Sequence, residues 1–231
     1  MLNCPMYWKD DGIVLSVRKH GETSAIVSLL TREHGRHLGL VKGGSGKRTR
    51  GILQIGNFIE VIWQARLIEQ LGYYKCELHE GFAAKNMRDA LRLSALSSAC
   101  ALAEGALAER ETHKYIFDGL LALLSSFEYE NWQSAYVKWE LGLLGEIGFG
   151  LDLSACVKTG ENTQLTYVSP KSGRAVSSAA GEPYKNKLLH LPQFLLQPGG
   201  VGTVDEVNEG LKLTGYFLDK NVFISIFFLR L

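Results

Sequence analysis

From Asp11 onward the chain alternates. Ile13, Leu15 and Val17 interleave with Val14, Ser16 and Arg18, a period of two that reads as a strand. Turn residues fill 20–24, and Ile26 to Leu30 is a short apolar run. Residues 31–36 are polar and contain Gly35, which suits a hairpin. Leu38 and Leu40 resume the alternation. The chain then enters KGGSGKRTR at 42–50, which cannot bury anything and has little preference for regular structure. Residues 52–56 lead into a fourth strand, 58–66, where Ile59, Val61 and Trp63 alternate with Glu60, Ile62 and Gln64. A fifth run, QLGYYKCEL, ends near His79. Residues 1–10 read as a lead-in whose Tyr7 and Trp8 pack on the sheet edge. Five short strands with Gly-rich turns predict a small closed barrel, and both an OB-fold and an SH3-like barrel fit.

The texture changes near Glu80. From Asn86, read as an N-cap with Asp89 in the first turn, the spacing is helical: Leu91, Ala95, Ala99, Leu102 and Ala106. A second helix is predicted over 112–127, with the stripe Ile116, Leu120, Leu123, Leu124 and Phe127. A third runs over 131–147, capped by Asn131, with the stripe Trp132, Tyr136, Trp139, Leu143 and Ile147. Gly148 follows as its C-terminal cap. Three helices with short links predict a bundle. Residues 151–202 have little periodicity and many Gly, Ser and Pro residues, apart from a strand at 165–169 and a turn at 169–173. A last helix is expected over 203–219, with Val204, Val207, Leu211 and Phe217 on one side. The apolar end, VFISIFFLRL, is too short for a membrane span and is expected to pack on the bundle. The organisation read from the sequence is mixed α+β: a barrel over 1–80, helices over 81–150, an irregular region over 151–202, and a final helix with an apolar tail over 203–231.

Composition changes this picture little. Hydrophobic residues make up 46% of 231, enough for a sizeable core in one domain or two smaller ones. Net charge is +1, but it is unevenly spread. Residues 1–50 hold nine Lys+Arg against four Asp+Glu, and the rest hold sixteen against twenty. Such asymmetry points to a localised anionic partner, with a solvated charged face as the plain alternative. Residues 77–150 carry eleven acids and six bases, which argues against a nucleic-acid surface there. Cys4, Cys76, Cys100 and Cys156 form no C-x-x-C and no disulfide scaffold. With no signal-peptide pattern at the start, the sequence reads as cytoplasmic.

The chemistry concentrates in the basic segment. Arg32, Arg36, Lys42, Lys47, Arg48 and Arg50 stand against one acid, Glu33, and Arg18 and Lys19 end the first strand. A flexible glycine loop lets such cations follow a phosphate backbone and release its counterions. Trp63 and Phe58 could stack on bases, although core packing is the commoner role for such rings. GGSGKRT is not a P-loop: that motif needs glycine where Val41 stands and Ser or Thr where Arg48 stands. His34 and His37 read as surface turn histidines rather than metal ligands. No H-E-x-x-H, G-x-S-x-G or evident nucleophile with a base is present.

Residues 11–44, DGIVLSVRKHGETSAIVSLLTREHGRHLGLVKGG, resemble the N-terminal signature of the bacterial RecO recombination-mediator family. So do the basic loop after them, IGNFIEVIWQARL at 55–67 and YVSPKSGRAVS at 167–177. The resemblance implies an N-terminal OB-fold, a helical bundle and a C-terminal loop region. It implies binding to single- and double-stranded DNA, annealing, and loading of RecA onto strands coated by SSB. The implied partners are RecR and the SSB C-terminal tail. The implied site is basic: Arg18, Lys19, Arg32, Arg36, Lys42, Lys47, Arg48, Arg50 and Arg66. No catalysis of a covalent step and no membrane is implied, and the expected location is the bacterial cytoplasm, at the nucleoid. Many members carry a four-cysteine zinc site after the helices. Here Cys156 stands at the first position, Thr159 at the second, and no cysteine follows. The expectation is therefore no zinc, with the loop held by packing. The apolar tail after Asn221 also departs from the family's usual ending. The competing reading is an OB-type module whose basic face binds an acidic protein.

Overall fold

The computed structural model describes residues 6–223. The chain forms two compact units, one ending at Phe127 and one beginning at Glu128. The first opens with five strands: β1 (Met6–His20), β2 (Ser24–Thr31), β3 (Gly35–Val41), β4 (Phe58–Ala65) and β5 (Tyr73–Glu80). They close into a barrel in the order β1-β2-β3-β5-β4. All pairings are antiparallel except β3 with β5, which meet in parallel at Leu40 and Tyr73. This is the OB-fold arrangement rather than the SH3-like one. In β4 alternation holds as expected, with Ile59, Val61 and Trp63 turned into the core beside Val27 and Leu29 of β2. In β1 the core takes Val14 with Val17 packed against it, across a bulge between Val14 and Ser16, and Ile13 and Leu15 are buried too. Gly39 has a packing reason. A Cβ there would stand 2.5 Å from the Tyr74 ring, which lies across β3.

Two local readings are corrected. Tyr7 and Trp8 are not in a lead-in, because β1 already starts at Met6 and pairs with β4 from Met6 to Ile13. The acidic pair Asp10 and Asp11 hid this strand. Asp10 is buried because it accepts from Glu33 N at 2.9 Å and bonds His34 Nδ1 at 2.8 Å. The basic loop is also not shapeless. It turns through 42–46 and then forms a short helix, α1 (Lys47–Ile52). Gly43, Gly44 and Gly46 precede the helix, and Gly51 falls only in its last turn, where Asn57 holds the Gly51 carbonyl.

Asn57 fastens α1 to the barrel. Its buried amide donates to Gly51 O at 3.0 Å and Ile52 O at 3.1 Å, and its Oδ1 accepts from Ala83 N at 3.2 Å. Asn57→Ala would leave three backbone groups without partners. We expect a loss of about 2 kcal/mol in urea unfolding, with α1 loosened as well.

After the barrel come α2 (Phe82–Asn86), α3 (Ala90–Ala106) and α4 (Lys114–Ser126). The N-cap assigned to Asn86 is wrong. Asn86 ends α2, and Asp89 caps α3 by accepting from Leu91 N and Arg92 N, each at 3.0 Å. The stripe of α3 is out of phase too. Leu91 is 63% exposed, while Leu96, Cys100 and Ala103 are buried with Ala99 and Leu102. In α4 the five expected stripe residues are all buried.

The second unit begins with α5 (Trp132–Glu146), which buries Trp132, Tyr136, Trp139 and Leu143 as expected. The region over 151–202 is more regular than its sequence suggests. It holds a three-stranded sheet, β7-β6-β8, from β6 (Leu165–Val168), β7 (Ala175–Ser177) and β8 (Leu189–His190). These strands are too short to show a period. A single turn, α6 (Ser178–Gly181), follows β7. In the same region burial pushes the Cys156 thiol up, but hydrogen bonds from Ser177 and Thr159 pull it down further, to about 6. Then α7 (Val204–Leu218) starts with a capping box between Thr203 and Glu206 and packs on α5. Val207 and Phe217 are buried as read; Val204 and Leu211 are exposed. From residue 224 the apolar tail lies outside the described residues, and the packing expected for it with them.

Candidate nucleic-acid interface

The register of the barrel gathers one outward row. Arg18 faces Ile26 across β1 and β2, and Ile26 faces Leu40 across β2 and β3. Leu40 faces Tyr73, and Tyr73 faces Gln64 on β4. The neighbouring row is the inward one, through Val27, Gly39, Tyr74 and Trp63. So the outer surface of the strands presents a half-buried apolar floor, Ile26 and Leu40, ending in Tyr73, which is 48% exposed. Lys42 Nζ stands 4.4 Å from the centre of the Tyr73 ring. Arg66, Gln64 and Gln70 join Leu40 and Tyr73 around a hollow of about 460 Å³.

Cations surround this floor. Lys19 follows Arg18 at the end of β1, and Lys47, Arg48 and Arg50 lie exposed on or beside α1. The loop before α1 is pinned to the β1–β2 turn, because Ser45 N donates to Thr23 O at 3.0 Å. Arg50 steadies the same loop by donating from Nη2 to Ser45 O at 3.0 Å. Of the nine expected residues, Arg18 opens this row, Lys42 and Arg66 border its tyrosine end, and Lys19, Lys47, Arg48 and Arg50 are exposed on the adjoining stretches of chain. Arg18 is partly engaged, 3.6 Å from Glu104, but remains largely exposed.

Arg32 and Arg36 stand at the far end of the β2–β3 hairpin. The Arg32 guanidinium meets Asp118 and lies 4.5 Å from the Phe117 ring centre. Arg36 Nε donates to Leu107 O at 2.9 Å. Both tie the barrel to the segment that follows it.

Of the two rings that could stack on bases, Trp63 packs in the core, the commoner role, and Phe58 is half-buried on the other face of β4. Trp63 is 1% exposed and donates from Nε1 to Leu71 O at 3.0 Å. Phe58 packs on His79 and Phe117. Sequence reasoning missed Tyr73, because Tyr73 and Tyr74 are adjacent and only the strand register decides which one faces out. His34 lies in the β2–β3 turn as read, although half-buried, whereas His37 is a strand residue of β3. His34 stacks on Trp8 with ring centres 4.1 Å apart, and His37 is buried, its Nδ1 2.9 Å from the Tyr74 hydroxyl. Burial, helped by the Arg110 charge, pushes His37 down to about 4, so it is neutral at pH 7 and adds nothing to the positive field.

Comparison with known proteins gives a consistent result. A family model described as "Recombination protein O N terminal" matches residues 6–82, and one described as "Recombination protein O C terminal" matches residues 87–226. A protein named DNA repair protein RecO from Rhodospirillum centenum is 54% identical over 220 residues, covering 94% of this chain and 88% of that protein. Proteins of the same name from Rhodospirillum rubrum and Methylobacterium nodulans are 49% and 47% identical. They cover 93% and 94% of this chain, and 88% and 90% of their own lengths. Among the described residues, no helix is long and apolar enough to cross a membrane.

Proposed function

Because the chain belongs to the RecO family of DNA repair proteins, we propose that it binds single- and double-stranded DNA through the basic end of its barrel, anneals complementary strands and helps load RecA onto strands coated by SSB. One observation carries this reading: the Arg18–Ile26–Leu40–Tyr73 row, with Lys42 over the tyrosine ring and α1 beside it. Phosphates need mobile cations, and unpaired bases need an exposed ring. This face offers both. Annealing then needs no covalent chemistry. Two strands whose phosphates are partly neutralised repel each other less, and pairing supplies the rest. The work is done at the nucleoid, in the cytoplasm.

RecR and the C-terminal tail of SSB are the proposed protein partners. For the tail, the first unit offers an apolar hollow of about 460 Å³ lined by Leu53, Ile55, Ala84, Met87, Leu93 and Leu96, with Arg50 among its lining residues. A chain end brings a carboxylate with it, and Arg50 is the cation among this hollow's lining residues that can pair with one.

Fluorescence anisotropy with a labelled single-stranded oligonucleotide tests the central claim. With seven cations on phosphates, affinity falls roughly a thousandfold between 50 and 200 mM salt. Tyr73→Ala weakens binding about tenfold and leaves the salt slope intact, since a ring contributes stacking and not charge, and Tyr73→Phe keeps the natural affinity. A salt-insensitive affinity, or an acidic protein partner that excess DNA cannot displace, would overturn the reading.

A further inference from the structure

Residues 156–160, CVKTG, and 177–181, SSAAG, have the same layout. Each has a small side chain, two residues, a second small side chain and then glycine. The interval between the two segments lies in the range used by four-cysteine zinc sites. The four positions hold Cys156, Thr159, Ser177 and Ala180.

The fold brings these segments together. Ser177 N donates to Cys156 Sγ at 3.2 Å. Hydrogen bonding from Ser177 and Thr159 is also what draws the pKa of that thiol down. Val157 N donates to Ala175 O at 2.9 Å, and Cys156 N to Glu161 O at 2.7 Å. Gly160 closes the first turn onto Cys156 O at 2.8 Å with φ +77°, a left-handed conformation that glycine takes without strain. Cys156 and Ser177 are buried, 2% and 5% exposed.

A structural zinc takes four N or S ligands. This set supplies one thiol, two hydroxyls and a methyl group, so the residues do not fit the ion that the family resemblance implies.

We propose that residues 156–181 are a metal-free knuckle, in which the Cys156 sulfur, shared as acceptor by Ser177 and Thr159, makes the cross-link that zinc makes in a four-cysteine site. The loop positions keep the ligand layout while the ligands themselves have changed. Ala180, at the fourth position, is buried and offers no donor or ligand atom. With one sulfur in the knuckle, an oxidant has no second thiol there to join it to.

The full chain, purified without chelator, decides this. We expect far less than one zinc per chain by mass spectrometry, and the same Tm with and without EDTA. Cys156→Ala lowers that Tm by about 5 °C, as loss of a buried acceptor should. The triple variant Thr159→Cys/Ser177→Cys/Ala180→Cys takes up about one Zn²⁺ per chain, and its Tm falls on chelation. Stoichiometric zinc in the natural chain overturns the proposal. So does an unchanged Tm in Cys156→Ala, which remains decisive if the triple variant does not fold. A folded triple variant that binds no zinc also overturns it, because the four positions then do not converge.

Discussion

Changing Lys42, Lys47, Arg48 and Arg50 together to Ala is expected to weaken single-stranded DNA binding roughly a thousandfold at 50 mM salt. These four stand around the exposed tyrosine and on α1, and none of them makes an ion pair among the described residues. No internal acid therefore neutralises their charge, although Arg50 also donates to Ser45 O and Lys42 lies over the Tyr73 ring. Arg18, Lys19 and Arg66 remain, so the salt dependence should soften rather than vanish. The drop between 50 and 200 mM shrinks from roughly a thousandfold to roughly twentyfold. Arg32→Ala provides the contrast. It removes one positive charge as well, but at the far end of the hairpin, where the guanidinium meets Asp118. It should lower stability more than it lowers affinity. A loss from Arg32→Ala as large as the average loss per cation in the fourfold variant would mean that only total charge matters and that the barrel end has no special role.

The second large effect lies in the other unit. Glu140 on α5 is buried and accepts from the Thr214 hydroxyl on α7. Burial pushes its pKa up, the Thr214 bond draws it partly back, and the result is about 7 against an ordinary 4.5. The folded protein therefore holds a proton that the unfolded chain releases between pH 4.5 and 7. The stability this lends is complete below pH 4.5 and is lost as pH rises through 7. Glu140→Gln keeps the shape and stays neutral. It should match the natural protein near pH 4.5 and exceed it by about 3 kcal/mol at pH 8, measured by urea unfolding followed through the tryptophans. A difference that does not change with pH would show that Glu140 is not titrating in this range.

Much of the first unit is legible in its sequence, because a barrel core sorts residues by alternate positions. Ile59, Val61 and Trp63 show their direction at once, and so does the stripe of α4. In α3 the same reasoning slips. Ala, Ser and Leu surround that helix on every side, so no phase stands out and Leu91 is mistaken for a core residue. Asp10 and Asp11 look like loop residues until the partners of Asp10, the Glu33 amide and His34, are seen. The basic end of the barrel is partly legible. Its cations cluster in sequence, but Arg66 reaches them only through the β4–β5 pairing, and Arg32 and Arg36 leave them because a hairpin separates its two ends. The ring at the centre could not be read at all. Tyr73 faces out because Tyr74 turns in over Gly39, and that is a fact about three strands at once.

The barrel closes on its shortest ladder. Strands β3 and β5 meet through the single pair Leu40 and Tyr73, secured by Leu40 N on Gly72 O at 3.0 Å. Every other neighbouring pair in the barrel shares a long ladder. The seam is thus where the cylinder would gape first, and it is also the floor on which a strand would rest. A ligand lying across Leu40 and Tyr73 would act as a clasp, so that holding DNA and holding the cylinder shut become one event.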